Sequence, residues 1–167
     1  MKYTSAQVAK ELRRLNDEHH ALLSKEQLSR EFVASVGEDI ESVRPAYDYA
    51  AVQAELAALE AEIRRFKHAL NRFNTTTEVP GFGMTVDELL VYLPQLSARK
   101  QKLSRMKAVL PKTREMRNVS SGNFLDYRYA NYDIEAVSAA YDAVAAELSA
   151  AQSALDVLNN PVAFEVE

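Results

Sequence analysis

The chain has 167 residues, 47% of them hydrophobic, with 4 glycines and no cysteine. Such a length and apolar content fit one domain with a real core and exclude a disordered chain, while the lack of cysteine removes disulfides, thiolate metal sites and thiol nucleophiles and fits a reducing compartment. The net charge of −4 is uneven: residues 99–117, "RKQKLSRMKAVLPKTREMR", hold eight bases and one acid, the rest of the chain carries −11, and seven acids without a base follow Arg128.

The first helix is expected over about 5–33, opening at Thr4 or Ser5, either a good N-cap. Val8, Leu12, Leu15, His19 and Leu22 recur at steps of four and three, which keeps one stripe facing a partner. The register blurs at "LLSKEQLSREFV", where Ser24 could cap a second piece. Gly37 and Pro45 make residues 35–47 a connection.

A second helix is expected over about 48–73. Val52, Leu56, Leu59, Ile63, Phe66, Leu70 and Phe73 repeat the steps of four and three, a coiled-coil-like seam. The segment "NTTTEVPGFGM" then reads as a short strand at 75–79 and a turn at Pro80-Gly81, with Gly83 as a second flexible point. Thr85 opens a third helix, expected over 86–110, with Glu88 three residues later in the capping-box arrangement. Its stripe is Leu89, Leu93, Leu96, Leu103 and Leu110, interrupted by Lys100. Pro94 predicts a kink or a restart of the helix, and Pro111 a stop.

Residues 112–124 are polar and read as a mobile loop. Alternation in "LDYRY" predicts a strand at 125–129. Asp133 caps a fourth helix over about 134–158, whose stripe runs Ile134, Val137, Tyr141, Val144, Leu148, Ala151, Leu155, Leu158. The tail predicts a last strand at 162–166. The fold class expected is mainly α: an antiparallel bundle of long helical hairpins in a single domain, 1–167. The strands at 75–79, 125–129 and 162–166 are expected to pair into one small sheet at an end of the bundle.

"RRFKHALNRFNTTTEVPGFGMTVDELLVYLPQLSARKQKLSRMK", "DYRYANYDIE" and "ALDVLNNPVAFEVE" resemble a bacterial family of uncharacterised helical proteins and, more distantly, small helical proteins labelled septicolysin-like. The shared pattern is a helix ending in Asn-x-x-Asn followed by threonine, here Asn71, Asn74 and Thr75. The resemblance spans about 3–167. It implies a helical core with strand additions and a tendency to associate, and brings no catalytic residues. The oxygen-labile pore former that the label names has no support in a chain without cysteine and without the apolar block of a signal peptide.

Asp17 and His20 stand three apart on a helix, a spacing that can offer two metal ligands, but Arg65 occupies the corresponding place before His68. His19 reads as a seam residue, and no metal or cofactor site is assigned. Tyr127, Arg128, Tyr129 and Tyr132, with Tyr47 and Tyr49 elsewhere, could stack bases, or could pack where strands meet helices. "PGFG" lacks the Gly-Lys-Ser/Thr end of a phosphate loop. No catalytic arrangement can be argued from spacing.

The basic segment is the clearest functional feature. Arg99, Lys102, Arg105, Lys107, Lys112, Arg114 and Arg117 are candidates for polyanion binding, against the bland reading of a solvated face or a partner to acids such as Glu135, Asp142 and Glu147. No stretch reaches eighteen apolar residues, so no membrane span is expected and the cytoplasm is the expected location. The favoured reading is a non-catalytic structural or protein-interaction protein that self-associates into a homo-oligomer through helical seams or strand edges. A polyanion or nucleic-acid binding module is the first alternative, and an enzyme or ligand-binding bundle the second.

Overall fold

The computed structural model describes residues 1–116 and 125–166. It is mainly α, with short antiparallel strands and no closed barrel among the described residues. The elements in order are β1 (Lys2–Thr4), α1 (Ser5–Ser29), α2 (Ile40–Val43), α3 (Tyr49–Thr76), β2 (Glu78–Val79), β3 (Met84–Thr85), α4 (Val86–Lys107), β4 (Lys112–Met116), β5 (Leu125–Tyr129), α5 (Ile134–Asn159) and β6 (Ala163–Glu165). They form two compact units, Met1–Thr77 with Val157–Glu167, and Glu78–Asp156.

In the first unit α1 and α3 form an antiparallel hairpin. His19 meets Glu60 and Glu26 meets Gln53, so seven residues forward on α1 match seven backward on α3. The seam residues Val8, Leu12, Leu15 and Phe66 are buried in one cluster with Ala69 and Val166. Burying a Leu or Phe fully is worth roughly 1.5–3 kcal/mol, which is why the stripes close on each other. β1 pairs antiparallel with β6, Tyr3 opposite Phe164. The Tyr3 ring meets Phe66 edge-on at 5.3 Å, and Phe164 stacks on Phe73 at 4.5 Å.

α1 ends at Ser29, short of residue 33. Its last rungs, Glu26 to Gln53 and to Tyr47, lie beside the start of α3, so a further turn would have no partner. Ser24 caps nothing: its hydroxyl donates to the His20 carbonyl within an unbroken helix. The 35–47 connection contains the single turn α2, capped by Asp39.

The threonine run does not form the expected strand at 75–79. α3 instead runs on to Thr76, and within it Thr75 donates its hydroxyl to the Asn71 carbonyl and Thr76 to that of Arg72. Only Glu78 and Val79 are strand, and their partner is β3. The turn between them carries Gly81 at φ +84° and Gly83 at φ +60°, a region glycine reaches without a Cβ penalty.

The second unit holds the α4–α5 hairpin. Tyr92 donates to Glu147, and Tyr132 to the Met106 carbonyl, which sets the two helices antiparallel. Val86, Leu89, Leu96 and Ala151 are fully buried, and Val137, Val144 and Leu148 are buried with a sliver of surface left. Thr85 and Glu88 close the capping box. The helix runs through Pro94 without interruption, and Pro94 and Leu90 both lie on its exposed side. Pro94 has no amide to offer the Leu90 carbonyl one turn before it. α4 stops at Lys107, and Leu110 beyond it is exposed.

Two further expectations are overturned. Residues 112–116 are strand β4, paired with β5, and not loop. Their run of Lys, Thr, Arg and Glu ends in a single apolar residue, Met116, so the period of two gave no hydrophobic signal. The remainder of the expected loop, 117–124, lies outside the described residues. Nor do the expected strands share one sheet: among the described residues they fall in three separate two-stranded ribbons, β1–β6, β2–β3 and β4–β5. Each expected strand found a partner too short or too polar to be read beforehand.

Candidate polyanion interface

Cross-strand partners in an antiparallel ribbon share a face, and neighbours along a strand alternate. Lys112 pairs with Tyr129 and Arg114 with Tyr127. One face of the β4–β5 ribbon therefore presents two bases and two tyrosines. All four are exposed. The Lys112 ammonium lies 4.0 Å from the centre of the Tyr127 ring and 5.4 Å from that of Tyr129. The two rings are 6.5 Å apart. This cation–π stack orders the lysine head without neutralising it.

The other face carries Thr113, Glu115, Asp126 and Arg128. There Arg128 is ion-paired to Glu115, so its charge is compensated locally. Arg128 is thus divided from the two tyrosines it stands beside in sequence.

The helical candidates fall into two groups. Lys107 turns toward α5, 4.8 Å from the Tyr141 ring centre and 4.0 Å from the Asp142 carboxylate. Lys100 approaches the same ring at 6.0 Å. Ser97, Ser104 and Leu148 complete an open hollow of about 350 Å³ around Lys100 and Tyr141. Arg99, Lys102 and Arg105 stay exposed on α4. Arg99 lies at the Tyr92–Glu147 bond, where hydrogen bonding to the Glu147 carboxylate raises the Tyr92 pKa. Arg117 lies outside the described residues. The seven sequence candidates are thus not one patch. Lys112 and Arg114 converge with tyrosines, Lys107 is partly engaged by α5, and Arg99, Lys102 and Arg105 are dispersed. The signal that would have found the ribbon is the matching i, i+2 spacing of Lys112/Arg114 and Tyr127/Tyr129.

Elsewhere, the first unit holds a cavity of about 260 Å³ beside Glu26, Tyr47 and Val52. Its polar groups serve each other: Tyr47 and Gln53 both donate to one Glu26 oxygen at 2.8 Å. Hydrogen bonding to that carboxylate raises the Tyr47 pKa. His19 faces Glu60, and His20 bonds the Asn16 carbonyl of its own helix. Among the described residues, no three His, Asp or Glu side chains converge as metal ligands, and no helix is long and apolar enough to cross a membrane.

No family model and no curated protein matches the chain. The septicolysin-like resemblance accordingly finds no support in these comparisons. A crystal structure of a functionally unknown conserved protein from Corynebacterium diphtheriae is similar in fold, with a TM-score of 0.64 over 99% of this chain and 100% of that one, at 19% identity. The likeness extends over both helical hairpins and identifies the fold.

Proposed function

We propose that the protein is a non-catalytic interaction protein of the cytoplasm that holds a single-stranded nucleic acid on the Lys112/Arg114/Tyr127/Tyr129 face of its β4–β5 ribbon. The observation that carries this reading is the sharing of one exposed face by two cations and two aromatic rings. Phosphates pair with the cations, and bases stack on the tyrosines without sequence readout, each stack being worth roughly 1–3 kcal/mol. Arg105 and the other exposed bases of α4 extend the positive field, while the net charge of −4 disfavours binding to any other part of the chain.

Anisotropy of a labelled single-stranded oligonucleotide, titrated at several salt concentrations, tests this. Affinity falls with salt, and K112A/R114A flattens the salt slope by about 1.4, two phosphate contacts at roughly 0.7 each. Y127A/Y129A weakens binding with the slope intact. Neutralising Arg105, Lys107 and Arg114 together weakens it further, by removing one cation of the face and part of the field around it. Unchanged titrations in all three variants would reject the reading.

A second reading, self-association, is favoured by another observation: Leu28, Val33, Val36 and Ile40 are exposed along or just beyond the end of α1. Light scattering that returns a monomer for the purified chain disposes of it.

A further inference from the structure

The two halves of the chain repeat one plan that their sequences do not advertise. Each begins with a strand ending in a threonine N-cap: β1 ends at Thr4 and β3 at Thr85. Each threonine makes a capping box, with Gln7 or Glu88. Shifting the first helix by the distance from Thr4 to Thr85 lays Val8, Leu12, Leu15 and Leu22 on Leu89, Leu93, Leu96 and Leu103. It also lays His19, the polar break in one seam, on Lys100, the break in the other.

The second helices agree equally well. Asp48 caps α3 through the Ala51 amide, and Asp133 caps α5 through the amides of Glu135 and Ala136. The residue before each cap is a tyrosine whose hydroxyl reaches back to the end of the first long helix of its half: Tyr47 to Glu26 of α1, Tyr132 to Met106 of α4. From those caps, Val52, Leu70 and Asn74 fall on Val137, Leu155 and Asn159.

Strand pairing closes the correspondence. Tyr3 opposes Phe164 as Met84 opposes Val79, and Thr4 opposes Ala163 as Thr85 opposes Glu78. The leading strand of each half pairs with the trailing strand of the other, in one register.

We infer that the chain is a tandem duplication of a single β-α-α-β frame with exchanged strands, and that the ribbon and the 27–46 segment are interchangeable heads mounted at the same place in that frame. The heads have diverged in chemistry. One is the basic, tyrosine-bearing ribbon. The other exposes Val33, Val36 and Ile40 around a capped turn.

Two full-length chimeras test this. In one, residues 108–131 are replaced by a second copy of 27–46. In the other, 27–46 is replaced by a second copy of 108–131. The joints fall at equivalent positions, Glu26/Lys107 and Tyr47/Tyr132. The expected result is native helical circular dichroism and a cooperative melt displaced by less than about 10 °C. Retention in either chimera supports the inference, and loss of helix and cooperativity in both overturns it. Oligonucleotide titration of the folded chimeras reports separately on the proposed function. No binding by the ribbonless chain and doubled stoichiometry in the two-ribbon chain support that function, whereas a folded pair with unchanged binding removes the function and leaves the duplication standing.

Discussion

The two halves build the same hairpin with different materials. Where the first places Phe66 and Phe73 on its second helix, the other has Ala151 and Leu158 at the corresponding places. All four are buried. The first half adds the Phe66 and Phe73 rings, which meet Tyr3 and Phe164, to an otherwise aliphatic seam, and the second has aliphatic side chains at the two corresponding places. A steady 3.6-residue stripe with capped ends is therefore enough to specify the frame, and the particular side chains are free to change so long as each seam fills its own volume.

The largest effects should come from exchanging that filling. Phe66→Ala is expected to cost about 3–5 kcal/mol, read from chemical denaturation, because the cluster around Val8 and Leu12 cannot collapse onto the void. Leu89→Ala, at a residue with no exposed surface, should cost about 2–5 kcal/mol. Ala151→Phe, the reverse exchange, should also destabilise, by roughly 1–3 kcal/mol, since Ala151 has no exposed surface and a ring there must displace its neighbours. A neutral Ala151→Phe would show that the α5 seam can accommodate a ring at that residue.

The caps come next. Thr4→Ala and Thr85→Ala should each cost about 0.5–2 kcal/mol, with fraying confined to the first turn of α1 or α4 in hydrogen exchange. Acid should separate them. The Thr85 amide and hydroxyl hold the Glu88 carboxyl below the usual carboxylate range, so its contribution is present above the unfolded pKa and lost as pH falls through the lower folded one. Gln7 does not titrate. Lowering the pH should therefore move the Thr85 amide resonance with Glu88 protonation, while the Thr4 amide shows no such step. Equal behaviour of both would show that the Glu88 carboxylate does not hold its cap.

The smallest effect lies at high pH. Tyr92 and Tyr47 ionise above the ordinary tyrosine value because each donates to a carboxylate, Glu147 and Glu26. The stability they add is whole below about pH 10 and lost as pH rises through their folded values. Tyrosinate absorbance should show two late-titrating rings, and E26Q and E147Q should each return one to the normal range.

The amino-acid sequence by itself settled whatever is local. Hydrophobic period placed the four long helices, and Thr4, Thr85 and Asp133 marked where three of them begin, because a cap and a stripe are written within a few residues of the helix they serve. It misled where a local preference competed with an unseen partner, as at Thr75 and Thr76, whose hydroxyls found helix carbonyls instead of a strand. Tertiary structure alone decided the strand partners, since β1–β6 joins residues at opposite ends of the chain. It alone decided the face that unites Lys112 and Arg114 with Tyr127 and Tyr129, because β4 carries no apolar alternation for a period to reveal. The duplication too is hidden from a single fixed comparison of the halves: the 108–131 head is four residues longer than 27–46, so the spacing between equivalents changes from 81 to 85 midway along the repeat. Pairing across that change of spacing is fixed by hydrogen bonds and packing in space, which no run of neighbouring residues encodes.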